Sequence, residues 1–164
     1  MPEPKYRVVF PSYDWDDAWL VNQIVNEPQI AGREQIGFTK GVPQEEGLTS
    51  DPAIRSWIDK NMEGCSCFIL FVGEKTHLSR WVKYEMEQAN KRGMARFIVH
   101  LEGMKRSHKD EPCKRGADPY QYHGMYSSHG QGYVIRQYSW LKDNGPRNIG
   151  NWIEEACSRT TKYR

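Results

Sequence analysis

The chain is short of most features that would settle its class at a glance. No apolar run is long enough to span a bilayer, because the longest, Cys65 to Val72, falls far below the roughly 20 residues a membrane helix needs. The opening Met1-Pro2-Glu3-Pro4-Lys5 has no apolar stretch of the signal-peptide kind. No sign of charge prevails: 23 basic against 21 acidic residues leave a formal +2, which argues against binding nucleic acid through bulk electrostatics. The four cysteines (Cys65, Cys67, Cys113, Cys157) form no CxxC pair and no disulfide rhythm. Cys65 and Cys67, two apart in an expected strand, should face the same side as buried thiols. Repeats and low-complexity segments are also missing. These absences lead us to expect a soluble cytoplasmic protein with neither nucleic acid nor membrane as partner. At 164 residues it should be a single domain, 1–164, with a full hydrophobic core.

Apolar patterning alternates between strand and helix. Tyr6 to Phe10 reads as a first strand ended by Pro11, followed by a helix that Asp14 can cap, with Leu20, Val21, Ile24 and Val25 at helical spacing. Ile36-Gly37-Phe38 reads as a brief strand before a glycine-rich loop. Asp51-Pro52 opens a second helix, because proline suits the first helical position. Cys65 to Val72 is the apolar strand expected at the centre of a parallel sheet. A third helix runs to Arg92-Gly93, a strand covers 95–101, and the pattern is irregular over 102–132. Tyr133 to Trp140 should be an edge strand, and Ile149, Trp152, Ile153 and Ala156 mark a closing amphipathic helix. This order predicts an α/β fold of three layers: a central, mostly parallel five-stranded sheet with helices on both faces. Ligands of such sheets bind at the carboxyl ends of the strands.

Two stretches fall at that edge: Phe10-Pro11-Ser12-Tyr13-Asp14 and the run from Gly73 to Glu85. In the second, Val82, Met86 and Ala89 form the core stripe of the helix, and Trp81, Glu85 and Gln88 flank it. Glu85 should therefore occupy a shoulder of the core. A carboxylate so placed can stabilise a cationic sugar transition state, or it can be an ordinary boundary glutamate bonded to an amide or a basic side chain. Other chemistries lack their parts. Asp14, Asp16 and Asp17 suggest a phosphoacceptor pocket, but that also needs an aspartate ending the third strand, where this chain reads Phe71-Val72-Gly73. Ser12-Tyr13-Asp14-Trp15 has neither the glycines nor the clustered hydroxyls of a phosphate loop. The five histidines and Cys113 match no zinc spacing, so no metal is expected.

The residues at this edge resemble a known family. Ser79-x-Trp81-x-Lys83-Tyr84-Glu85 is similar to the third conserved box of TIR domains, and Phe10-x-Ser12-Tyr13 followed by Asp17-Ala18-Trp19 is similar to the first. The segments Arg80-Trp81-Val82-x-Tyr84-Glu85 and Asp118-Pro119-Tyr120-x-Tyr122-x-Gly124 resemble the TIR-like ThsB proteins of bacterial Thoeris anti-phage systems. The resemblance implies a flavodoxin-like fold and an enzyme for which NAD is the substrate, with no separate cofactor. It implies cleavage of nicotinamide from the ribose, the ADP-ribosyl unit then being hydrolysed, cyclised or passed to an acceptor, with an ADP-ribose-derived product that signals to a downstream effector. Carried over, Glu85 is the catalytic residue, while Phe10, Ser12, Tyr13 and Trp81 bind substrate. The Lys40-Gly41-Val42-Pro43 loop would lie over the site. The same family includes interaction modules that only dock other TIR domains, and self-association is expected under either reading. The chain departs from the pattern at Val82, where a cysteine is frequent, at Pro11, and in lacking the proline-glycine pair of the second box.

Overall fold

Among the described residues, five strands form one sheet in the order β2-β1-β3-β4-β5, every neighbouring pair parallel. The computed structural model describes residues 5–39, 47–126 and 135–160. In chain order the elements are β1 (Arg7–Ser12), α1 (Ala18–Val25), β2 (Ile36–Phe38), α2 (Asp51–Met62), β3 (Cys67–Val72), α3 (Arg80–Lys91), β4 (Ala95–His100), the single turn α4 (Pro119–Tyr122), β5 (Arg136–Ser139) and α5 (Gly145–Ser158). The sheet is thus parallel throughout, with β2 and β5 at its edges. Residues 40–43, expected over the site, lie outside the described residues.

Strand alternation sorts the core into two layers. Val9, Cys67, Ile69, Phe71, Phe97 and Val99 face one way and pack with Leu20, Val21 and Ile24 of α1 and Ile149, Trp152 and Ile153 of α5. Phe10, Phe68, Leu70, Val72 and Ile98 face the other way, against Ile54, Ile58 and Met62 of α2 and Val82, Met86 and Ala89 of α3. The predicted core stripe of α3 is therefore the buried one.

Local chemistry sets the element ends. Ser50 caps α2 by accepting from the Ala53 amide, and Ser79 caps α3 by accepting from Val82. Gly93 takes a positive φ of 64° where α3 turns into β4.

Three expectations need correction. β1 does not stop at Pro11 but continues to Ser12. The Val9 carbonyl accepts from Thr39 on the β2 side, and the Val8 carbonyl accepts from Ser66 on the β3 side. By alternation, the N–H that Pro11 lacks would point to the β2 side, past Phe38, the last residue of β2. Asp14 does not cap a helix through its side chain; a short 3-10 turn, Trp15–Asp17, intervenes before α1. Cys65 and Cys67 do not share a face, because β3 begins only at Cys67: Cys65 joins the α2/α3 layer and Cys67 the α1/α5 layer. None of the four cysteines forms a disulfide among the described residues.

The irregular segment after β4 is laid as a strap along the carboxyl edge of the sheet as far as residue 126. Gly116 rests directly on the end of β3, where a Cβ would come within 1.9 Å of the Gly73 carbonyl. Tyr120 and Met125 are buried in the α2/α3 layer. Asp118 fixes the turn: one carboxylate oxygen accepts from the Tyr120 and Gln121 amides, and the other accepts from Gln137 Nε2 at 3.0 Å and from the Tyr126 hydroxyl.

Candidate active site

Register places Ser12, Leu70, Ile98 and Gln137 in one row across the sheet. All of them are on the α2/α3 side by alternation. Ser12 is the last residue of β1, and its hydroxyl is wholly buried. From above, α3 lowers Glu85 onto this row. The Ser12 Oγ donates to Glu85 Oε1 at 3.0 Å, a buried bond between residues 73 apart in the chain. Glu85 is 4% exposed, so it lies inside the core boundary and not at the expected shoulder. Its bond to Ser12 ties it down onto the end of β1. Helical periodicity ranks the faces of α3 correctly but cannot count a contact supplied by another element.

Oε2 of Glu85 is buried and has no hydrogen-bond partner among the described residues. Burial pushes the carboxyl well above its ordinary value of 4.5, and the single Ser12 bond opposes that only in part. Among the described residues, neither the backbone amide nor the basic partner of an ordinary boundary glutamate is present. Such a group can hold a proton while sealed, and it can ionise when a cation or a set of hydroxyls arrives beside it.

The remaining expected site residues are spread over three places. Phe10 shares the face of Ser12 but is sealed beneath Phe68, ring centroids 6.0 Å apart and nearly parallel. Tyr13 follows the end of β1 and turns into the opposite layer with α1 and α5. Trp81 is partly buried against the α2/α3 layer. Its ring lies under the Arg80 guanidinium (4.6 Å) and edge-on to Tyr84, at the wall of a small cleft with Arg55, Lys83 and Glu87. Glu85 is not part of that lining. The structure thus brings Ser12 and Glu85 together, keeps Phe10 below them, and turns Tyr13 and Trp81 elsewhere.

Two polar features of this edge escape a reading of the sequence. His100 ends β4 fully buried, with Nε2 2.8 Å from Gln137 Oε1, and burial lowers its pKa. It joins the Gln137–Asp118–Tyr126 cluster, a grouping of residues from β4, β5 and the strap that no local spacing announces. Asp17 is buried behind β1, with a pKa raised to about 6. In the sequence it passes for a first-turn acid serving the helix dipole. Among the described residues no group of three or more His, Cys, Asp or Glu side chains could hold a metal ion, and no helix is long and apolar enough to cross a membrane.

Against known proteins, the family model described as "Thoeris protein ThsB, TIR-like domain" matches residues 10–106, which carry β1 through β4 and both halves of the Ser12–Glu85 pair. The chain is also similar to a protein of Bacillus cereus (strain MSX-D12) named "Putative cyclic ADP-D-ribose synthase ThsB1", 29% identical over 127 residues. That similarity covers 73% of this chain and about 65% of the length of the relative. The parallel five-stranded sheet agrees with the flavodoxin-like TIR fold. With more than half of its residues inside the family model, the chain belongs to the TIR-like ThsB family of Thoeris proteins.

Proposed function

We propose that the protein cleaves NAD at the nicotinamide–ribose bond and makes an ADP-ribose-derived signal, with Glu85 as the catalytic carboxylate. The observation that carries this reading is the buried carboxyl with one oxygen bonded to Ser12 and the other free of any described partner. In the proposed reaction the C1′–N bond breaks, and its electron pair leaves with nicotinamide, which departs neutral. The ribosyl C1′ becomes an oxocarbenium-like cation. Glu85, which releases its proton to water as the site opens and the cationic nicotinamide ring enters, stabilises it and accepts bonds from the ribose hydroxyls. Ser12 holds the carboxyl at a fixed angle and acts as a positioning residue. Water or a nucleophile of the same ADP-ribosyl unit then closes on C1′ and gives up its proton to the Glu85 carboxylate, giving free ADP-ribose or a cyclic isomer. The name of the Bacillus cereus relative supports the cyclic outcome.

Because Glu85 is sealed, turnover on this reading requires an opening that admits the ribose. Phe10 would then form the floor beneath the nicotinamide-ribose end. Assembly with a second TIR domain is the expected trigger, and an effector protein is the expected reader of the product.

The alternative is a module that docks other TIR domains and does no chemistry. The sealed carboxyl favours it, as do the exposed Trp15, Trp19, Leu78 and Tyr122 side chains. Proton NMR of NAD incubated with concentrated protein separates the two. Nicotinamide signals that grow with time support the enzyme. Self-association by sedimentation with intact NAD throughout supports the module.

A further inference from the structure

A second concavity opens at the carboxyl edge, on the side of the sheet away from Glu85. The strand order reverses between β1 and β3, and in parallel sheets the crevice outside that reversal is where ligands bind. Here the crevice is a cleft of about 460 Å³ bounded by the turn after β1, the turn after β3 and the strap after β4. Asp17 is its most enclosed acid, 9% exposed, pressed so closely on the end of β3 that a Cβ on Gly73 would come within 2.2 Å of Asp17 Oδ2. The Asp17 carboxylate forms no hydrogen bond and no ion pair with any described residue. Arg106, the nearest candidate, is tied instead to the backbone carbonyl of Asp16.

The lining specifies a ligand by its chemistry. Asp17, Glu74, Asp110 and Glu111 present four carboxylates against the two cations Arg106 and Lys114, so an anion is disfavoured. A bare metal ion is disfavoured as well, because no three of the described carboxylates converge closely enough to share one. Leu20 and Met104 add an apolar wall suited to a methylene chain. We propose that this cleft binds a small alkylammonium cation, its ammonium held by Asp17, its chain on Leu20 and Met104, and a second positive group at the exposed rim of Glu74, Asp110 and Glu111.

The groups around Asp17 also predict how binding depends on pH. Burial pushes its carboxyl up to about 6, the neighbouring Asp14 and Asp16 and the facing Glu74 add to that, and Arg106 opposes it. The anchoring charge is therefore largely lost at pH 5 and restored at pH 7.5.

Calorimetric titration of the whole chain with putrescine, the four-carbon diammonium ion, tests the site, with 1,4-butanediol and Mg²⁺ as controls. Saturable putrescine binding at pH 7.5 is expected, weaker by about tenfold at pH 5 as Asp17 is protonated. Asp17→Asn should weaken it roughly tenfold or more, the loss of one charge-assisted bond. Glu74→Gln, at an exposed position that leaves the core untouched, should weaken it several-fold. Glu85→Gln should bind putrescine like the wild type, which keeps this result separate from the fate of the NAD reading. Absent putrescine heats, equal heats from butanediol, affinity unchanged by both Asp17→Asn and Glu74→Gln, or displacement of putrescine by stoichiometric Mg²⁺ would each overturn the proposal.

Discussion

Glu85→Gln should make the protein more stable at high pH and leave it nearly unchanged at low pH. The native carboxyl titrates well above its ordinary value of 4.5 because burial penalises the charge, and Ser12 supplies its one described hydrogen bond. The folded state therefore holds a proton that the unfolded chain has already released above pH 4.5. Stability is fully present below the unfolded pKa and is lost as pH rises through the folded one. Glutamine mimics the protonated acid: it keeps an oxygen to accept from Ser12 and carries no charge to desolvate. A buried polar group missing a partner costs about 1–3 kcal/mol, and more when it is charged. The variant should thus gain about 1–3 kcal/mol between pH 4.5 and pH 9, and a chain of this size shifts its Tm by roughly 2–4 °C per kcal/mol. Scanning calorimetry of both proteins across that range measures it. A Tm difference that does not change with pH would refute the claim that Glu85 is buried and protonated in the resting protein.

Ser12→Ala removes the bond that opposes the upward shift of Glu85, so the carboxyl should titrate higher still and stability in urea should fall by about 1–3 kcal/mol. Glu154→Ala strips the two-pronged partner of the mostly buried Arg7 guanidinium (2.8 and 3.0 Å). Because the Glu154 side chain is 54% exposed, water screens part of the effect, and a loss of about 1–2 kcal/mol in urea is expected. Gly116→Ala drives a Cβ into the Gly73 carbonyl, so the strap must lift from β3; a loss of about 1–3 kcal/mol and faster proteolysis between residues 102 and 126 are expected.

The sheet and its helices were legible because each element carries its own period. Val82, Met86 and Ala89 state which face of α3 is buried, and the unbroken apolar run of β3 states that it is central. The pairing of Ser12 with Glu85 was legible only as two motifs at one edge, since the bond joins residues 73 apart and rests on the register of β1 with β3. Tyr13 could not be placed from its motif: one residue past Ser12, alternation turns it to the opposite layer. Trp81 shares a helical stripe with Glu85, yet its ring is drawn outward by Arg80 and Tyr84, contacts that depend on rotamers and not on spacing. The depth of Glu85 was hidden for a different reason. It depends on how α3 packs on the sheet edge around Ser12, which the period of one helix does not state.

The central claim is that Glu85 carries the chemistry of an NAD-cleaving site, and product analysis by mass spectrometry tests it most directly. Wild type and Glu85→Gln are incubated with NAD over a range of protein concentrations that spans self-association, with circular dichroism confirming that both are folded. The account predicts nicotinamide and an ADP-ribose-derived product from the wild type, rising more steeply than protein concentration, and neither from Glu85→Gln. Equal turnover by the two proteins, or intact NAD at every wild-type concentration, would contradict it.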